Sequence, residues 1–509
     1  MGNVLVKAET LTQIADAIRE KNGNFDSYKP KEMPDAILEI STYSGEGPDP
    51  NKPVRFYNPY GELVYSYSVA EVSEMTELPA LPEIKGLIGQ EWNWSLEKIQ
   101  AVGGEVEIGS HYITDDGSTR IYVELIEEAL NPKIGFNQSV SNSVWIDWGD
   151  GSDLETSDVY GKDTVVSIEH KYAHSGKYVI RLIPEENVEI SLVGNYYSTL
   201  ILHKVADMDY GNKVFGNAIR KIEIGKGITK FTNRSFNSAT LESVTVPKEI
   251  AEFGSAFQGC ANLKCITFTK LIPSVSTYSI RDCYRLEKIL FSESDFYLGG
   301  TSAANNYSLT EIVMASNISL SYTDIFSECY SLQRVVLPKG LKQLGSDLFT
   351  KCYSLREVVL PEGLTRISSG VFSHCTALEF VDIPETVESI ESTAFYYCYA
   401  LRKIKLPEQL TAIKANMFTN CYSLCEMTIP KAVTAIDAYA FNTCKGIEDY
   451  YILPEMPPTL PNNTVFAGIK ETCKMHVPKG CLEAYQTAEY WSEFADYMVE
   501  MEEENEETE

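Results

Sequence analysis

The chain has 509 residues, 44% of them hydrophobic and 23% charged, the balance of a multidomain globular protein and not of a disordered one. Its 72 acidic residues against 43 basic ones give a formal net charge of −29, a surface that repels phosphate backbones and anionic lipid, so nucleic acid is not expected as a partner. No run approaches the ~20 apolar residues of a membrane helix, so membrane insertion is not expected; Met1 to Thr10 lacks a basic patch followed by an apolar stretch, so no signal peptide is expected.

Thr10 to Gln13 is a capping-box start for a helix with Leu11, Ile14, Ala15 and Ile18 on one face, ended by Asn22-Gly23. A second short helix carries Met33, Ile37 and Ile40. Two such narrow stripes cannot form their own core. Residues 1–43 are therefore predicted to attach to another protein or another copy of the chain through Leu11, Ile14, Ile18, Met33 and Ile37. Residues 44–53 are a Gly/Pro-rich linker.

Residues 54–130 are predicted to form a β-rich module with a helix. Strands starting at Val54 and Leu63 flank the turn Asn58 to Gly61, and Asp115-Asp116-Gly117 is expected to join a later pair. In residues 131–195, Trp148 to Gly151 is expected to be a turn after a strand, followed by His170, Tyr172 and Tyr178. Asp147, Asp150 and Asp153 cluster as calcium ligands do. Gly149 and Gly151, however, stand where a calcium loop has side-chain ligands, and a turn is the expected role.

The most informative pattern lies further on. Cys260, Cys283, Cys329, Cys352, Cys375, Cys398, Cys421 and Cys444 share one 23-residue register, with Asn306 filling the ninth position. Phe326, Phe349, Phe372, Phe395, Phe418 and Phe441 precede the register residue by three, and Leu332, Leu355, Leu378, Leu401 and Leu424 follow it by three. Val335, Val358, Val381 and Ile404 stand at six, Pro338, Pro361, Pro384, Pro407 and Pro430 at nine, and Leu344, Ile367, Ile390, Ile413 and Ile436 at fifteen. Such a period describes coils that bury their apolar side only by stacking. The alternation around position six is that of a strand with one buried face, stopped by the proline. A metal or disulfide role would need cysteines converging, whereas these are a whole coil apart and point alike; they are expected to be inward-facing thiols.

The pattern Phe-x-x-Cys-x-x-Leu-x-x-Val-x-Leu-Pro resembles the BspA-like leucine-rich repeats of bacterial surface and prophage proteins. The stretch from Val477-Pro478-Lys479-Gly480 to Leu482-Glu483-Ala484-Tyr485 resembles the segment that caps such arrays. Leu11 to Ile37 is similar to a motif of tail-associated proteins in phages and prophages of Gram-positive bacteria. Trp92 to Leu96 and Tyr112 to Gly117 resemble a module found beside it, and residues 140–183 resemble a PKD-like sandwich. The expected fold is multidomain α+β: a short helical N-terminus, β-rich modules including the PKD-like sandwich, then a leucine-rich-repeat solenoid over 196–450, a cap over 451–499 and an acidic tail over 500–509.

No nucleophile elbow, phosphate loop or paired-ligand spacing of the six histidines is present, so neither catalysis nor a cofactor is expected. The outward strand positions vary from coil to coil while the frame is held: Arg334, Glu357, Phe380, Asp382, Lys403, Lys405 and Glu426 are candidate receptor-binding residues. Exposed positions are also simply free to differ, and the sequence leaves both open. Tyr330, Tyr353, Tyr399 and Tyr422 belong to a row with Tyr284 and Tyr307; packing between coils is the expected role and stacking on sugar rings the alternative. Together the resemblances imply a virion tail protein, assembled in the host cytoplasm, that binds a host-surface protein or glycan and other tail proteins; a bacterial cell-surface adhesin is the alternative.

Overall fold

The computed structural model describes residues 48–502, apart from 126–132, 139–143, 157–165, 186–189, 193–218, 224–227, 232–235, 237–240, 247–249, 251, 270–276, 292–295 and 315–317. The attachment residues Leu11, Ile14, Ile18, Met33 and Ile37 lie outside them. The described fold is mostly β, with few and short helices.

The first module is small. Strands Val54–Tyr57 and Leu63–Tyr67 form the expected hairpin, closed by the Gly61 N–H on the Asn58 carbonyl at 3.0 Å, and Val106–Ile108 pairs parallel to the first strand. Helix Val69–Ser73 starts on a capping box of Ser68 and Glu71, and helix Leu96–Val102 on Ser95, each cap side chain accepting a free N–H of the first turn. Their buried sides, Val72 and Ile99, close over Phe56, Trp92 and Trp94. The turn at Asp115–Gly117 departs from expectation. The strand before it, Ser110–Thr114, pairs with Leu87–Trp92, whereas the strand after it, Thr119–Leu125, leaves for another sheet. The turn hands the chain between layers.

That second sheet runs Ile219–Glu223, Thr119–Leu125, Gly176–Pro184, Val144–Asp147, Glu155–Thr156; it faces another of order Val166–Glu169, Lys133–Gln138, Ile190–Leu192, Ile228–Phe231, Glu252–Phe253. The sandwich thus reaches back across the division expected at 130. It also shares both sheets with the first coils, so no break separates it from the solenoid. One hydrophobic core runs from Ile121 to Met498. A free solenoid end would expose the apolar edge of its first coil, and here the sandwich covers that edge.

Each regular coil carries two strands, such as Glu357–Val359 and Arg366–Ile367, stacked in parallel at a 23-residue offset: Arg334, Glu357, Phe380 and Lys403 are consecutive partners. The proline after the first strand opens a turn, its carbonyl accepting the N–H three residues on, as Pro361 does from Leu364 at 3.2 Å. Two bends per coil are left-handed and mostly not glycine: Glu328, Lys351, His374, Tyr397, Asn420 and Thr443 precede the register cysteine, and Asp324, Asp347, Thr393, Asn416 and Tyr439 stand five before it. Such backbone costs roughly 1 kcal/mol or more per residue. It is held by amides that bond the next coil, as Lys351 N does Ser373 O at 2.8 Å.

The C-terminal segment closes the other end. Strands Lys474–Val477 and Met498–Glu500 extend the sheet of Glu426–Ile429 and Asp449–Ile452, and helix Leu482–Thr487 brings Tyr485 over the last core layer beside Trp491. Tyr485 OH and Trp491 Nε1 donate to the carbonyls of Pro454 and Pro458 at 2.6 and 2.7 Å. Glu500, expected in the acidic tail, belongs to the last strand and accepts from Gly480 N at 3.0 Å.

Candidate binding surface

The register cysteines face inward, and the eight of them are buried free thiols. Each Sγ donates to a carbonyl 24 or 26 residues earlier, on the preceding coil: Cys352 to Phe326 at 3.4 Å, Cys375 to Phe349 at 3.2 Å, Cys444 to Phe418 at 3.0 Å. Asn306 links the coils the other way round, its Oδ1 accepting from Cys283 N on the preceding coil at 3.0 Å while its Nδ2 donates to Ala303 O of its own coil at 2.7 Å. The phenylalanine column beside them is a continuous stack of rings 5.5 to 6.0 Å apart from Phe326 to Phe441. With the frame fixed inside, recognition falls to the outward columns.

Half of the outward sheet face is not free. The first module lies across the strands between Cys265 and Val336. Asn93 Nδ2 donates to the carbonyls of Phe268 at 2.9 Å and Phe291 at 3.1 Å, its Oδ1 accepts Gly109 N at 2.7 Å, and Trp94 Nε1 donates to Phe291 O at 3.0 Å. Tyr57, Cys265 and Leu290 form an apolar seam. Gly109 sits so close that a Cβ there would fall 2.3 Å from Thr267 Cγ2. Around the seam Glu107 takes Tyr57 OH at 2.8 Å, Lys288 Nζ at 3.0 Å and Arg55 Nε at 3.4 Å, and Arg55 also reaches Glu311 at 3.3 Å. Burial works against the Arg55 charge, but Glu107 and Glu311 outweigh it and raise its pKa. The sequence signal, legible only afterwards, is an arginine and a glutamate at paired strand positions, Arg55 and Glu107, in a module otherwise short of charge in its core.

This placement changes the reading of one candidate. Arg334 belongs to the seam: its guanidinium contacts Glu105, and reaches Glu311 at 3.2 Å and Glu357 at 3.3 Å, while nearby Lys339 Nζ donates to Val102 O at 2.9 Å. From Glu357 onward the face is open. Val359 is 41% and Phe380 55% exposed, and Asp382, Lys403, Lys405, Glu426 and Thr428 are exposed with them. Charges there pair laterally, Lys403 with Glu426 at 3.4 Å and Lys405 with Glu385 at 2.5 Å. Such pairs are screened and contribute little to stability, so they can be exchanged for a partner's charges at small cost.

The tyrosine row is on a different side of the coil. Its rings stack on one another: Tyr284 on Tyr307 at 5.0 Å, Tyr307 on Tyr330 at 4.6 Å, Tyr330 on Tyr353 at 5.0 Å, Tyr399 on Tyr422 at 5.1 Å. Packing between coils is thus the role observed, and the faces between these stacked pairs are taken. In the sandwich, Asp147 and Asp150 accept the N–H groups of Gly149 and Ser152, two residues on, as turn residues do. Asp150 also meets His170 Nε2 at 2.8 Å and Asp147 meets Arg181 at 3.4 Å. Gly149 is required, with φ of +73° and a Cβ position 2.5 Å from Val179 O.

The docked module gives a direct expectation. Asn93→Leu keeps the branching of the side chain but removes its bonds to the Phe268 and Phe291 carbonyls and leaves the Gly109 N–H without the Asn93 Oδ1 acceptor, a cost of about 3 kcal/mol. Amide exchange over residues 54–114 should speed up while the coils beyond Glu357 keep parent protection. Parent-like exchange in the module would mean that the Asn93 bonds do not hold it.

Comparison with known proteins agrees with the coil geometry. Residues 209–333 and 321–448 match the model of the BspA type leucine rich repeat region, in six copies. No curated protein matches the chain. Similar solved structures include a leucine rich cell surface protein from Faecalibacterium prausnitzii A2-165, at 19% identity over 53% of this chain and 87% of that one, with a TM-score of 0.30. Others are a leucine-rich repeat protein from Bacteroides ovatus ATCC 8483, at 18% over 59% and 100% with a TM-score of 0.31, and the pneumococcal vaccine antigen PcpA, at 19% over 57% and 74% with a TM-score of 0.33. Among the described residues no helix is long and apolar enough to cross a membrane. The repeating half of this chain, residues 209–448, carries BspA-type leucine-rich repeats.

Proposed function

We propose that this protein is a non-enzymatic recognition protein that presents the open sheet face from Glu357 to Thr428 to a host-surface protein or glycan. The observation that carries this is the contrast within one sheet. Inward positions repeat and are buried, whereas the outward ones differ from coil to coil and are free of the first module only beyond Arg334. A stacked solenoid is rigid, so it loses little ordering entropy on binding. Phe380 is a large exposed apolar side chain between Glu357 and Lys403, the kind of anchor on which interfaces concentrate their energy.

The setting proposed is a phage or prophage tail, with residues 1–43 attaching the chain to other tail proteins or to another copy of itself and the sandwich serving as a PKD-like spacer. This rests on the resemblance of Leu11 to Ile37. The second reading, a bacterial surface adhesin, is supported by the BspA-type repeats, which fit it equally. Detection of the chain in purified particles supports the first; its removal by protease from intact cells supports the second.

Replacing Phe380, Lys403 and Lys405 together by Ala should leave the melt unchanged and weaken adhesion to host cells by about tenfold or more, the loss of one good anchor. An unchanged melt with unchanged adhesion would remove the sheet face from consideration.

A further inference from the structure

The tyrosine row has one rung missing, and its neighbours are set to hold a ring there. Tyrosine follows the register residue at 284, 307, 330, 353, 399 and 422, but the coil between the last two pairs has Thr376. Tyr353 is stacked on Tyr330 on one side and Tyr399 on Tyr422 on the other, so each turns a face toward Thr376. Their exposure agrees: Tyr353 at 40% and Tyr399 at 36% resemble the row ends Tyr284 at 45% and Tyr422 at 44%, while Tyr307 and Tyr330, covered on both sides, are only half-exposed. Two coil steps separate the facing rings, about 10 Å, which is two of the row's own stacking distances. A slot of that width takes one ring and no more.

The surroundings decide what kind of ring. Thr376 forms the floor, its hydroxyl donating to Tyr353 O at 3.2 Å. Two residues before it His374 stacks on Tyr397 at 4.8 Å with Ser373 Oγ 2.9 Å from its Nδ1, and Tyr397 tilts against Tyr399 at 5.5 Å. The slot is therefore aromatic on two walls and polar along its rim. A phenyl side chain would satisfy the walls and leave the rim without partners. A hexopyranose with all its substituents equatorial presents axial C–H groups on both faces and hydroxyls around its edge, matching both.

We propose that Tyr353, Thr376 and Tyr399 form a subsite for one gluco-configured pyranose ring of a surface glycan. This deepens the recognition reading on which it rests, but it places the contact away from the sheet face of Phe380.

Titration of the full chain with cellotriose and with the trisaccharide of N-acetylglucosamine, followed by calorimetry and tyrosine fluorescence, tests it. Binding of at least one of them is expected. Thr376→Tyr, which supplies the residue that six other coils carry, should melt at or above the parent temperature and weaken that binding by about tenfold or more. Tyr399→Leu should weaken it similarly should the tyrosine variant misfold. The Phe380, Lys403 and Lys405 triple variant should bind the saccharides as the parent does, so loss of cell adhesion there and loss of saccharide binding in Thr376→Tyr are separate results. No saccharide binding by the parent, or equal binding by folded Thr376→Tyr, overturns the proposal. So does capture of a phenylalanine-bearing peptide, and no saccharide, by a slot that Thr376→Tyr closes.

Discussion

Phe395→Ala is expected to destabilise the solenoid by about 3–5 kcal/mol, whereas Phe380→Ala should change stability by about 0.5 kcal/mol or less. The two residues are fifteen apart and chemically identical, and only position separates them. Phe395 is fully buried, its ring 5.5 Å from Phe372 and 5.6 Å from Phe418, so truncation removes transfer energy and opens a gap between three coils at once. The backbone around it cannot close that gap, because Phe395 N is fixed to Met417 O at 3.0 Å and the strand register to both neighbours. Phe380 is 55% exposed and ends in solvent. In a stack where each coil touches only its neighbours, the loss at Phe395 should appear as early unfolding of the coils C-terminal to it. Urea melts with hydrogen exchange by segment measure both quantities. A parent-like melt for Phe395→Ala would contradict the stacked-ring account of the core.

The second large effect is expected in alkali. Burial pushes the thiols of Cys329 and Cys444 up to about 12, and raises those of Cys283, Cys352, Cys375, Cys398 and Cys421 in the same direction. Below pH ~8.5 such a thiol is protonated folded or unfolded and stability does not depend on pH through it. Above that value the unfolded chain gives up the proton and the fold keeps it. Stability then falls, by about 1.4 kcal/mol per pH unit for each thiol, until the folded value is passed. Seven thiols acting together amount to about 10 kcal/mol per unit, the size of a whole domain's stability. The solenoid should therefore unfold within about two units above pH 8.5, with buried Tyr450, also raised by burial, adding to the slope at the upper end. Urea midpoints taken from pH 7 to 10.5 follow this. Cys352→Ser with Cys375→Ser keeps a donor for each carbonyl but does not ionise, and should make the slope shallower by two protons. A flat profile, or a slope indifferent to the serines, would show that the ladder is not what titrates.

The sequence by itself determined the coil. Cys375, Phe372, Leu378 and Pro384 each recur at 23 residues because each needs only its counterpart on the next coil, and a contact with one's own repeat is written in the period. The hairpin of Val54–Tyr57 and Leu63–Tyr67 was legible for a related reason, since its geometry is local. The left-handed bends were not, because His374, Tyr397 and Thr443 have no turn signature of their own and are held there by amide bonds to the following coil. Packing of the tyrosine rings between coils was the expected role, but the break in the row at Thr376 mattered only once their planes were placed. Least legible was the division of the outward face. Asn93 bonds a carbonyl 198 residues away and Arg334 an acid 229 residues back, in contacts made once with no repeat to announce them. Arg334 and Lys403 occupy the same column and look alike in sequence, yet one is inside a seam and the other in solvent. Only the tertiary structure could decide that, because it depends on where a separate module comes to rest.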